Sequence, residues 1–103
     1  METHPAKRVS IVIESALERR LTDTLIDNGV TGFTVMPVLG GSGRSGRWTR
    51  DGNISRASGM VNVIVLIRPE RLDQMLEAAF KVVERHIGVV SITDAEVLRA
   101  ERF

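Results

Sequence analysis

The eight residues MVNVIVLI, from Met60 to Ile67, constrain the fold more than any other stretch of the chain. They are almost all β-branched or aliphatic and lack helical spacing, so they read as a strand. Alternation sends Val61, Val63, Val65 and Ile67 to one side and Met60, Ile64 and Leu66 to the other. Both sides are apolar, so both faces of the sheet around this strand need a cover. A chain of 103 residues makes one domain with one modest core. Its own helices can cover one face. The other is expected to be covered by a second copy, which predicts a homo-oligomer.

The remaining elements follow from local pattern. In RVSIVIE (Arg8 to Glu14), Val9, Ile11 and Ile13 alternate as in a strand. Ser15 with Glu18 three residues on has the form of a capping box and predicts a helix start. Leu17, Leu21 and Leu25 recur at helical spacing, and Asn28-Gly29 supplies a left-handed stop. GFTVMPVL (Gly32 to Leu39) is a second strand, with Pro37 marking an edge or bulge. After Met60–Ile67, Pro69 opens a second helix with Leu72, Met75, Leu76, Ala79 and Val83 on one face, running toward Gly88. VVSIT then resumes a strand, expected to reach Leu98 with an irregularity near Asp94-Ala95. The order β-α-β-β-α-β predicts an α+β, ferredoxin-like sandwich: a four-stranded antiparallel sheet with two helices on one face.

Between the second and third strands lie about 19 residues, Gly40 to Ser58, with five glycines, four serines and four arginines. Connections longer than roughly 12–15 residues are uncommon in compact domains and tend to be functional. This composition is not expected to order by itself, and predicts a mobile loop that settles when an anion or partner meets its arginines. Gly41 to Gly46 matches the first part of a phosphate-binding P-loop, but Arg47-Trp48 stands where Lys-Ser/Thr is required and no helix pattern follows. Backbone N–H groups of such a turn still offer an anion nest. Arg50 and Arg56 fit a solvated loop surface, with partner contact second.

Several function classes drop out. No apolar run is long enough to span a bilayer, and METHPAKRVS lacks the apolar core of a secretory leader. The chain has no cysteine, which excludes disulfides and thiol chemistry and suits a cytoplasmic protein. A net charge of +1 gives no overall field toward nucleic acid. The middle strands carry no aromatic platform for stacking bases; Trp48 alone remains, which leaves a nucleic-acid module with a basic loop as the alternative reading. His4 and His86 are isolated, no nucleophile–base pair is readable, and neither an enzyme nor a metal site is expected. A ligand-free structural oligomer is the third reading.

The residues GVTGFTV, Gly29 to Val35, followed by a glycine-rich turn and a long loop, resemble the G-[IV]-T-G-[MFY]-T-V stretch of PII signal-transduction proteins. Element order and chain length agree over almost the whole of residues 1–103, read as a single PII-like domain. The resemblance implies a homotrimer that binds adenine nucleotides in clefts between subunits and signals through a T-loop, here residues 40–58. The chain also departs from the nitrogen-regulatory members. It lacks their T-G-x-x-G-D-G-K segment, keeping only Gly88 in RHIGVVSIT, and its loop has no tyrosine for uridylylation. IGVVSITDAEVL and SGRSGR (Ser42 to Arg47) are similar instead to the PII-like branch linked to bicarbonate transporters and carboxysomes.

Carried over by position, the resemblance implies that Thr34 lies against the adenine and that Gly40 turns the loop base toward the nucleotide. It gives Gly41, Ser42 and Gly43 backbone donors for phosphate or bicarbonate, with Arg44 and Arg47 as anion contacts. Gly88 and Val89 would pass the nucleotide, and Arg99 would reach the phosphates of a neighbour's ligand. Glu101 stands where a second arginine belongs, with Arg102 displaced by one. Fewer positive charges weaken a triphosphate most, so ADP or AMP is expected over ATP, with bicarbonate as a further ligand. Trp48, Arg50 and Arg56 are the expected partner contacts, and the partner a carbon-uptake or carboxysome protein.

Overall fold

The structure is a computed structural model and describes residues 1–44, 46–49, 59–86 and 88–99. Among these the elements run β1 His4–Glu14, α1 Glu18–Asp27, β2 Phe33–Val38, β3 Gly40–Gly43, β4 Gly46–Thr49, β5 Met60–Ile67, α2 Leu72–Val83 and β6 Gly88–Val97. Four strands form an antiparallel sheet in the order β2-β5-β1-β6. Both helices cover one face, as the element order predicts.

Register decides which residues that face receives. On β1, Val9, Ile11 and Ile13 stand opposite Val65, Val63 and Val61 of β5. All six are buried, with Leu21 and Leu25 of α1 and Met75, Ala79, Val82 and Val83 of α2 packed over them. Burying an aliphatic side chain of this size stabilises the fold by about 1.5–3 kcal/mol, so this layer supplies most of the cohesion. Among the described residues, no helix covers the opposite face. Met36 (47%), Leu66 (41%) and Val89 (64%) remain exposed there. The face also carries one internal polar pair, Ser10 Oγ to Asn62 Oδ1 at 2.8 Å. Of the three exposed residues, Leu66 is a position the sequence assigns to contact with a second copy; Met36 and Val89 join it from the flanking strands, whereas Met60, assigned to the same face, is buried.

Helix α1 ends as expected. The Val30 amide donates to Leu25 O and the Gly29 amide to Ile26 O, each at 3.0 Å, and Gly29 has φ +85°. This is a Schellman stop, with Val30 folding its side chain into the core. Its start differs from the capping-box reading. Ser15–Leu17 is a 3-10 turn, no side chain among the described residues caps α1, and the Ser15 amide donates instead to Gly59 O at 2.8 Å. That bond ties the end of β1 to the residue before β5, an alternative partner that local pattern could not register.

Other boundaries also move. β1 begins at His4, because β6 extends far enough to pair His4 with Val97. His4 therefore lies in a strand. α2 is preceded by a 3-10 turn, Pro69–Arg71, and stops at Val83, well short of Gly88. β6 pairs with β1 without interruption through Asp94 and Ala95, so the expected irregularity is absent. Lys7 supports that register by an ion pair to Asp94 at 2.5 Å. The largest difference is in the loop: Gly40–Gly43 and Gly46–Thr49 pair as a hairpin where composition predicted no regular structure. Residues 50–58 of the expected mobile loop lie outside the described residues.

Gly88 has a packing role. A Cβ built there meets Val12 O at 2.9 Å and Ile13 Cγ2 at 3.2 Å, so β6 starts against β1 at a distance only glycine allows. Gly88→Ala is expected to cost about 1–3 kcal/mol through overpacking, read as a lower denaturant midpoint with unchanged slope. An unchanged midpoint would show that the strand end shifts freely.

Candidate functional site

The turn after α1 and the first residues of β2 run along the end of the sheet. Their backbone course places Thr31, Gly32, Phe33 and Thr34 on one wall of a cavity of about 450 Å³. Ile64 and Leu66 of β5 form its apolar floor, because even-numbered β5 residues face away from the helices. Val97 and Arg99, from the end of β6, complete it. The lining is mostly apolar, with two threonines and one guanidinium as its polar elements. Such a combination suits a flat heteroaromatic ring bearing an anionic substituent. The ring would lie on Ile64 and Leu66, the hydroxyls would satisfy polar edges, and Arg99 offers a planar fork for phosphate oxygens.

The structure thus brings together two of the predicted ligand residues, Thr34 and Arg99. Thr34 stands opposite Ile64 at an exposed position. Sequence reasoning gave Arg99 to a neighbour's ligand; here it lines a cavity with Thr34 of its own chain. Thr31, Gly32, Phe33, Ile64, Leu66 and Val97 were not anticipated as lining. A signal did exist for the first three, which lie inside the GVTGFTV stretch.

A second group of predicted residues gathers in the hairpin. Gly40, Gly41, Ser42 and Gly43 form β3, each of them exposed. Ser42 stands opposite Arg47 and Gly41 opposite Trp48, while Arg44 lies at the turn. Directly opposed residues of an antiparallel pair project to the same side, so Ser42 and Arg47 share a face. Among the described residues, β3 pairs only with β4. An isolated two-stranded hairpin is marginal in water, and glycines weaken it further.

Gly88 and Val89 lie apart from both groups. β2, which leads into the hairpin, and β6 are the two outer strands of the sheet. Gly88 and Val97 are nine residues apart on β6, or about 30 Å of extended strand, so Gly88 and Arg99 cannot grip one nucleotide within a single chain. Arg50, Arg56 and Arg102 lie outside the described residues. Among the described residues, no group of three His, Asp or Glu side chains is placed to hold a metal ion, and no helix is long and apolar enough to cross a membrane.

Comparison with known proteins assigns the class. The family model of nitrogen regulatory protein P-II matches residues 6–102, and the chain belongs to that family. P-II proteins are signalling proteins. Among solved structures it is similar to CPII, a nitrogen regulatory PII-like protein from Thiomonas intermedia, bound to ADP, AMP and bicarbonate. The two share 28% identity over 99% of this chain and 96% of that one, with a TM-score of 0.89. A second structure of CPII, bound to ADP and bicarbonate, aligns at 29% identity over 99% and 97% of the two chains, with a TM-score of 0.85. A putative PII-like signalling protein from Thermus thermophilus shares the fold at 23% identity, over 100% of this chain and 99% of that one, with a TM-score of 0.79. No curated protein matches the chain by sequence.

Proposed function

We propose that the chain is a non-enzymatic adenine-nucleotide sensor. Copies assemble as a trimer through the open sheet face, and ADP or AMP binds with its base in the cavity of Thr31–Thr34. The observation that carries this reading is the cavity itself, an apolar floor of Ile64 and Leu66 with Thr34 and Arg99 among its lining. CPII, of the same fold, binds ADP, AMP and bicarbonate, which supports the ligand class and names bicarbonate as a further ligand. Because Gly88 and Val89 stand far along the sheet from Arg99, residues of neighbouring copies complete each site. Regulation of inorganic-carbon acquisition, or of a carboxysome component, belongs to this proposal.

The hairpin is the signalling element. Its four β3 positions are exposed, so its population is sensitive to small ligand energies. An anion near Ser42, Arg44 and Arg47 neutralises the arginines and offers acceptors to the glycine amides, favouring one hairpin geometry. A partner then reads that geometry through Trp48 and the residues beyond it.

Trp48 is the one tryptophan of the chain, so its emission reports this segment without labelling. ADP is expected to change that emission saturably. Arg44→Ala should raise the half-saturating ADP concentration about tenfold, the loss of one hydrogen bond to a charged group. An unaltered midpoint removes Arg44 from the site, and binding without any change in emission refutes the hairpin as reporter.

A further inference from the structure

The nucleotide cavity does not end at Thr31. A second cavity of about 380 Å³ adjoins it, and Thr31 and Leu66 line both. Its other walls are Gly29 and Val30 from the end of α1, Ile67 and Arg68 from the end of β5, and Glu70 and Arg71 from the turn before α2. The two cavities differ in chemistry. The first is an apolar slot with one guanidinium among its lining, whereas the second is bordered by two arginines and one glutamate.

Arg71 is oriented there by the backbone. Its Nη1 donates to Gly29 O at 3.2 Å, at the left-handed residue that closes α1. A side chain on Gly29 would displace this contact, since a Cβ built there falls 2.6 Å from Arg71 Nη1. A guanidinium has five N–H donors in a fixed fork, and the Gly29 carbonyl takes one of them. Arg71 itself is among the residues that line the cavity. Arg68, at the end of β5, lines the same cavity, so among the described residues its lining holds two arginines and one glutamate. Nothing in the GVTGFTV stretch or the glycine-rich loop signals this pairing. It arises only when the end of β5 is laid beside the turn after α1.

We infer that this second cavity is an oxyanion subsite contiguous with the nucleotide cleft, in which Arg68 and Arg71 hold a phosphoryl group or a similar oxyanion. The group is either the nucleotide's own terminal phosphate or a free anion bound beside it. The first form rests on the nucleotide reading above; the second stands without it.

The test uses the intact chain and its variants Arg68→Gln, Arg71→Gln and the double variant, with Arg85→Gln as an exposed control beyond the far end of α2. ADP, AMP, adenosine and inorganic phosphate are titrated calorimetrically, and melting curves identify any variant that does not fold. Arg71→Lys is included because it keeps the charge if the loss of the Gly29 contact loosens the turn. If the nucleotide's phosphate occupies the subsite, each Gln variant weakens ADP about tenfold, as expected for one charge-assisted contact, while adenosine is unaffected. If a free anion occupies it, adenylate affinities hold while inorganic phosphate binding disappears in the double variant. Equal losses for adenosine and ADP, or no change for any probe, overturn the subsite. Should the parent chain bind no adenylate yet bind inorganic phosphate through Arg68 and Arg71, the nucleotide reading fails and the subsite stands.

Discussion

Val12→Asp is expected to leave the chain folded but unable to assemble or to bind ADP. Val12 lies on the open face of β1, opposite Asn62 and Val89, and is half-buried in the single chain. In an isolated copy a carboxylate there reaches water at small cost. When the face is covered by other copies, the charge is buried without a partner, which costs several kcal/mol per site. Copies related by symmetry also bring like charges together. Light scattering should give the mass of one chain, with an unchanged far-ultraviolet circular dichroism spectrum. Val12 does not border the nucleotide cavity of its own chain, so loss of ADP binding in this variant reports a change at the face between copies, where Val89 stands opposite it. An oligomer that survives the substitution would contradict the assignment of the open face.

Ile11→Asp, one residue earlier, is expected to prevent folding. Ile11 is fully buried on the helix side, opposite Val63 and Val90. The substitution removes an isoleucine whose truncation to alanine alone costs about 2–5 kcal/mol, and adds a polar group with no partner. Together these approach the roughly 5–15 kcal/mol by which a typical domain is stable. The expected outcome is an insoluble or non-cooperatively melting chain, while Ile11→Ala folds with a lowered melting temperature. A cooperative transition in Ile11→Asp within a few degrees of the parent would mean that the core rearranges around the charge. The two adjacent positions fail differently because side chains alternate across a strand.

That alternation is also why so much of the fold was legible. Met60–Ile67 and the Leu17, Leu21, Leu25 series each carry a strong period; the structure keeps the strand's bounds and buries all three leucines, although Leu17 falls in the 3-10 turn before α1. The Asn28-Gly29 stop was readable because a left-handed residue has few alternatives to glycine. What failed depended on partners distant in sequence. Ser15 donates its amide to Gly59 O instead of entering a capping box, and β1 reaches His4 because Val97 is there to pair with it. The hairpin at Gly40–Thr49 was hidden by its own composition, since glycines and serines carry no hydrophobic period.

The site was legible in proportion to how local it is. Thr34 could be carried over by position, and its neighbours Thr31 to Phe33 were within the same motif. Ile64 and Leu66 were recognised as apolar residues of a second face, though not as a ligand floor. Arg68 and Arg71 carry no local signal. Their proximity to Gly29 is made by the antiparallel return of β5 and the turn into α2.

The measurement that tests the account most directly is a calorimetric titration of the intact chain with ADP, in the presence and absence of bicarbonate. The account predicts saturable binding that approaches one nucleotide per chain and becomes tighter with bicarbonate. No binding of ADP, AMP or ATP at millimolar concentration would contradict the nucleotide-sensor reading and leave the fold without its proposed ligand.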